Sequence, residues 1–197
     1  MNTQTVPTCT YIAVAIALVL GATFFYAYTS GMYGTDVATA TDYKNGSYVI
    51  DGTPVQLVDG SADTPAAPDS EARVVTQYFG NELVTDLNGD GIDDVVFLVT
   101  QETGGSGTFF YVVAALQTEN GYVGSDGYFL GDRIAPQTIN ESMNPRHKYV
   151  VVVNYVDRLP NEPMTAQPSV GKSVYLKLDT EHMQWGIVEP DFEGESR

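Results

Sequence analysis

Asp86-Leu87-Asn88-Gly89-Asp90-Gly91-Ile92-Asp93-Asp94 runs directly into Val95-Val96-Phe97-Leu98-Val99-Thr100, so a polar loop feeds an entirely apolar strand. The strand half of this stretch decides the fold. Both alternating sets of side chains are apolar, which a strand tolerates only when both of its faces are covered. Thr108 to Leu116 has the same character, and only Gln101 to Gly107 separates the two runs. The spacing predicts an antiparallel pair at the centre of a sandwich or of a covered sheet.

Working outward, the rest of the chain reads as shorter strands. Ser47 to Ile50 and Pro54 to Val58 flank Asp51-Gly52-Thr53, with Asp-Gly supplying a hairpin turn. Asp59 to Ser70 is acidic, carries two prolines and has nothing to bury; it reads as a mobile loop or hinge. Ala72 to Phe79 reads as the strand entering the polar loop. Tyr122-Val123 and Tyr128 to Leu130 follow the turn at Thr118-Glu119-Asn120-Gly121. Gln137 to Lys148 is polar and irregular, with room for one short helix. Tyr149 to Tyr155 is apolar on both faces. Lys172 to Leu178 alternates, placing Val174, Leu176 and Leu178 inward. Trp185, Ile187 and Val188 offer a last strand. Asp157 to Gly171, with three prolines, is too long for a tight connection and is either a functional loop or one packed over the sheet. The fold class is mainly β: an antiparallel β-sandwich or curled sheet of about eight strands, preceded by one N-terminal transmembrane helix.

That helix is read from Tyr11 to Tyr28, an uncharged run of bilayer-spanning length. Met1 to Thr10 contains no Lys or Arg, and no small-x-small site follows at the right distance, so the segment reads as an uncleaved anchor. The expected organisation is a short tail at 1–10, the anchor at 11–28, a flexible tether at 29–41, a β domain at 42–190 and an acidic tail at 191–197. All nine Lys and Arg residues lie after the apolar run, beginning at Lys44. Charge therefore orients the helix only weakly. A domain outside the cytoplasm is expected because a calcium loop needs calcium-rich surroundings. Cys9, the one cysteine, precedes the apolar run and has no partner for an intrachain disulfide. The formal net charge of −16 argues against nucleic acid and against polybasic adhesion to anionic lipid.

The polar half of the opening stretch carries the candidate chemistry. Counting Asp86 as the first place, oxygen side chains stand at the first, third, fifth and ninth places and glycine at the sixth. This spacing turns Asp86, Asn88, Asp90 and Asp94 toward one hard cation, with the carbonyl of Ile92 as a fifth ligand. The expected cofactor is calcium, acting as a staple of weak extracellular affinity. The competing reading is ordinary Asp-Asn-Gly turn chemistry.

The pattern Asp86-x-Asn88-x-Asp90-Gly91-x-x-Asp94 resembles the calcium loops of dockerins, thrombospondin type 3 repeats and integrin-type propeller repeats. It departs from the helix-loop-helix form, since the twelfth place is Phe97 rather than glutamate and a strand follows. There is one copy, whereas a propeller needs several blades. The wider chain resembles a group of uncharacterised small bacterial proteins anchored to membranes. The marks are Tyr78-Phe79-Gly80-Asn81, the calcium loop, Gly104-Gly105-Ser106-Gly107-Thr108-Phe109, Leu130-Gly131-Asp132-Arg133-Ile134, and Pro163-Met164 leading to Pro168-Ser169-Val170-Gly171. This resemblance spans most of Tyr43 to Leu178 and implies a location and a fold type, without an activity.

Catalytic signals are thin. His147 and His182 have no sequence neighbours that suggest a triad, and no catalytic residue is assigned. Asp132-Arg133 and Asp157-Arg158 read as local ion pairs closing strand ends. The expected function is a membrane-tethered extracytoplasmic binding or interaction module stabilised by calcium, recognising a cell-envelope component or a partner protein. The alternatives are an envelope hydrolase acting on glycan or peptide, or an inhibitor of one, for which an ordered, protruding loop at Asp157 to Val170 would be the sign. A pilin-like subunit is disfavoured by the anchor's sequence.

Overall fold

Twelve strands, all antiparallel to their ladder neighbours, form three sheets in the computed structural model, which describes residues 40–67 and 69–189. The membrane span expected at 11–28, most of the tether, Cys9 and the acidic tail lie outside those residues. Among the described residues no helix is long and apolar enough to cross a membrane.

The six-stranded sheet is the middle layer. Its path is β3 (Ser61–Pro65), β4 (Arg73–Thr85), β5 (Asp94–Glu102), β6 (Phe109–Thr118) and β7 (Gly121–Gly124), with β8 (Tyr128–Asp132) pairing β6 beyond β7. The expected central pair is β5 and β6, in register from Val95 opposite Ala115 to Gln101 opposite Phe109. Eight of the nine residues of β5 are buried, including Asp94.

Each face of this pair has its own cover, which is why neither alternating set needs polar residues. Val96, Leu98, Val112 and Ala114 pack with Ile139, Val151, Val153, Leu176 and Leu178. Those partners belong to a four-stranded sheet ordered β12 (Gln184–Ile187), β11 (Val170–Asp179), β10 (Val150–Asp157), β9 (Ala135–Glu141). On the opposite face Val95, Phe97, Val99, Tyr111 and Val113 pack with Tyr48, Ile50, Val55 and Leu57. Tyr48, Ile50 and Val55 come from the hairpin of β1 (Ser47–Ile50) and β2 (Thr53–Gln56), and Leu57 directly follows it; the hairpin turn has Asp51 and Gly52 at φ 49° and 74°, the left-handed pair that suits strand twist. At roughly 1.5–3 kcal/mol for each fully buried large apolar side chain, the two faces supply the main drive for folding.

Several sequence expectations need revision. Asp59 to Ser70 holds the edge strand β3, paired with β4 from Ser61 opposite Gln77 to Pro65 opposite Arg73. It buries almost nothing; backbone hydrogen bonding to a strong neighbour is enough, and that neighbour is invisible to local composition. Gln137 to Lys148 begins inside β9, for the same reason, and contains no helix. The strand entering the loop runs to Thr85, past Phe79, because an irregularity lets it continue. Between Tyr78 and Leu83 the ladder shifts twice, with Gly80 at φ 115° and Asn81 at φ 54°. The two shifts add up to an even slip, so the alternation of faces is kept: Tyr78 packs with the hairpin cluster and Leu83 with the opposite one, as residues five apart on a strand do. With these additions the strands number twelve rather than about eight.

The segment 158–169, between β10 and β11, is ordered by its own bonds. Arg158 Nε donates to the Ala166 carbonyl at 2.7 Å, Ser169 N–H to the Asp157 carbonyl at 2.8 Å, and Leu159 N–H to Glu162 Oε2 at 2.8 Å. Leu159 and Met164 are exposed. The two Asp-Arg pairs are tied together, since Arg158 also reaches the Asp132 carbonyl at 3.3 Å. Asp132 pairs with Arg133, as expected, whereas Asp157 pairs with Lys172 across the ladder at 2.7 Å.

Candidate metal loop and the adjoining cleft

The loop from Asp86 to Asp93 joins β4 to β5 and is wound by its own carboxylates. Asp86 Oδ1 accepts the N–H groups of Asn88 at 3.1 Å and Gly89 at 2.6 Å, and Oδ2 accepts that of Gly91 at 3.0 Å. Asn88 Oδ1 accepts the Asp90 N–H at 2.8 Å, and Asp90 Oδ1 accepts the Ile92 N–H at 2.7 Å. Gly89 and Gly91 sit at φ 86° and 82°, the left-handed values that allow two reversals in six residues. Asp86, Asn88 and Asp90 thus share one tight turn. The bonds from Gly89 and the other loop amides hold the Asp86 carboxyl below its usual range.

Asp94 is placed differently. It is fully buried beneath the loop, where Oδ2 accepts the Leu87 N–H at 2.9 Å and Oδ1 the Gln117 N–H at 2.8 Å. It pins the loop to both central strands. Burial raises its carboxyl above the ordinary value, the two amide bonds pull it down, and the charges of Asp90 and Asp86 raise it again. Ile92 is exposed at the loop surface.

A metal fits this donor set by chemistry: every side-chain ligand is oxygen, three are carboxylates, and each carboxylate retains lone pairs beyond its amide bonds. Asp90 and Asp86 lie close enough to Asp94 to raise its proton affinity. Ion pairs elsewhere among the described residues include Lys44–Glu82, Arg73–Asp63, Arg133–Asp132, Lys172–Asp157 and Asp179–His182. Among those residues no group of three or more His, Cys, Asp or Glu side chains is gathered into a ready metal cage. Asp94 serves first as a structural carboxylate in this arrangement, a role that linear spacing does not announce.

Beside the loop lies a cleft of about 570 Å³, walled by Asp86, Asp93 and the segment between β9 and β10. Its volume is in the range of small-ligand sites. Glu141, Ser142, His147, Lys148 and Tyr149 also line it. Ser142 Oγ lies 2.8 Å from His147 Nδ1, a contact between residues five apart that the sequence reading passed over. Asn144 Oδ1 accepts the Arg146 N–H at 3.0 Å, and Asn144 Nδ2 lies 3.5 Å from His147 Nε2. These contacts close the turn between Ser142 and His147.

A second cluster was also missed. Glu82, in the irregular part of β4, accepts hydrogen bonds from the hydroxyls of Tyr43 and Tyr78, and Lys44 Nζ lies 3.5 Å from it. Lys44 also sits 4.1 Å from the centre of the Tyr78 ring. No motif joins residues 39 apart; the signal was only the aromatic abundance of the chain. Searches against protein families, curated proteins and solved structures find no match to this chain.

Proposed function

We propose that this chain is a membrane-tethered, extracytoplasmic binding module whose loop at Asp86 to Asp94 holds calcium as a structural staple. The observation that carries the metal reading is the tight turn that brings Asp86, Asn88 and Asp90 together on the loop's own amides, directly above the buried Asp94 carboxylate. Backbone amides compensate part of the carboxylate charge, and a divalent cation would offset the rest. Asp86, Asn88, Asp90, the Ile92 carbonyl and Asp94 would hold the ion. The membrane and extracytoplasmic parts of the reading rest on the apolar run from Tyr11 to Tyr28 and on the need of a weak calcium loop for calcium-rich surroundings.

The test is a thermal melt of the full chain with calcium and with chelator, beside the double variant Asp86→Ala/Asp90→Ala. Calcium at about ten to a hundred times Kd should stabilise by roughly 1–3 kcal/mol, and the variant should lose that gain. Superimposed curves would make the loop an ordinary turn.

A further inference from the structure

Tyr149 is a bulky residue in the left-handed region, at φ 58°, and it lines the cleft. Non-glycine residues in that region are uncommon, and those found there are mostly Asn, Asp or His; a tyrosine held there stores strain. The strained backbone lays its ring along the metal loop: a Cβ added to Gly89 would come within 2.4 Å of the Tyr149 hydroxyl. The ring is nonetheless 41% exposed, so part of it remains open toward solvent.

The groups left free in the cleft are few and varied. The Ser142 hydroxyl accepts from Asn144 N–H at 3.3 Å and lies 2.8 Å from His147 Nδ1, which leaves it capacity for a further bond. Glu141 engages Thr85 through Oε1 and keeps Oε2. Among the described residues, the Tyr149 hydroxyl and Lys148 ammonium have no hydrogen-bond partner. Two neutral hydroxyls, the carboxylates of Asp86, Asp93 and Glu141 as acceptors, and one cationic donor beside an exposed ring match a ligand that offers many hydroxyls and a flat apolar face. An anionic ligand would meet those carboxylates, and a hydrophobic one would strand the polar groups.

We propose that the cleft between the metal loop and the β9–β10 connection binds a neutral carbohydrate, with Tyr149 as the stacking platform and Ser142, Glu141 and Lys148 as hydrogen-bonding partners. This deepens the reading of the chain as a binding module. The strain at Tyr149 is then tolerated because it presents the ring.

The experiment is a titration of the isotope-labelled full chain, followed by backbone amide shifts, with N-acetylglucosamine tetramer, mannotriose, cellotetraose and polygalacturonate, each in calcium and in chelator. At least one neutral sugar should bind saturably, moving amides of 85–93 and 141–150, and the anionic polymer should bind at least tenfold more weakly. Tyr149→Asn removes the ring yet suits the left-handed backbone. It should weaken the sugar at least tenfold while leaving the melting temperature unchanged or higher; a merely structural tyrosine would lower it. Absence of saturable shifts with every neutral sugar, or equal affinity in Tyr149→Asn, would overturn the proposal. Sugar binding without calcium stabilisation would sink only the staple, and calcium stabilisation without sugar binding only the carbohydrate.

Discussion

Glu82 and the acids of the Asp86–Asp94 loop are both acidic centres attached to β4, and they are satisfied in opposite ways. Around Glu82 the partners are side chains: two tyrosine hydroxyls and a lysine. Burial pushes its carboxyl up, but the bonds from Tyr43 and Tyr78 and the Lys44 charge outweigh that and hold it below the usual value. The partners respond in turn, with Tyr78 pushed up to about 12 by burial and by Glu82. In the loop the partners are backbone amides, and the buried Asp94 is raised. A carboxylate with its own cation is a finished clasp, here joining the segment at Tyr43–Asn45 to the middle sheet. Carboxylates held by neutral donors, here backbone amides and the Asn88 side chain, keep net negative charge and suit an external cation.

That contrast breaks first at Asp94. Replacing it by Ala strips the buried N–H of Leu87 and the partly buried N–H of Gln117 of their acceptors, at a cost of about 2–4 kcal/mol. The loss should be present in chelator, and calcium should no longer restore stability. Denaturant unfolding of Asp94→Ala in both conditions measures the two components. A loss seen only with calcium would make Asp94 a pure ligand.

Glu82→Ala should cost less, about 1–2 kcal/mol, because its surroundings are partly open to water. Its loss should be the same with calcium and with chelator, since the clasp lies outside the loop. A calcium-dependent loss would show that the two centres are coupled.

The smallest effect is on pH dependence. Glu82 and Asp157, the latter held down by its bond to Lys172, both have folded values below their unfolded ones. Each therefore contributes stability that is present above the unfolded value, about 4–4.5, and is lost as pH falls through the depressed folded value. Glu82→Gln and Asp157→Asn should each flatten the fall in melting temperature between about pH 5 and pH 3. An unchanged acid limb in both variants would remove these groups from the account of acid stability.

Much of the fold was legible because burial on two faces leaves a mark in one strand. Val95 to Thr100 and Thr108 to Leu116 predicted the central pair, Asp51-Gly52 the hairpin turn, and the alternation of Val174, Leu176 and Leu178 one wall of the core. Edge strands left no such mark. Ser61–Pro65 and Ala135–Glu141 are largely polar, and they are strands because a neighbour offers them a ladder.

The candidate metal loop divides along the same line. Ligand spacing is a property of consecutive residues, so Asp86, Asn88, Asp90 and Asp94 were candidates from the sequence alone. That Asp94 is buried and pinned to Leu87 and Gln117 depends on how β5 and β6 pair. Glu82 with Tyr43 and Tyr78, and the cleft lined by Glu141, Ser142, Tyr149 and Asp86, join residues distant in the chain, and only the packing of the sheets brings them together. The sequence by itself determined the β class, the doubly covered centre and the oxygen-rich loop, because each follows from the chemistry of neighbouring residues. The clasp, the buried role of Asp94 and the cleft were decided by the tertiary structure, because the free energy of those contacts exists only once distant strands have met.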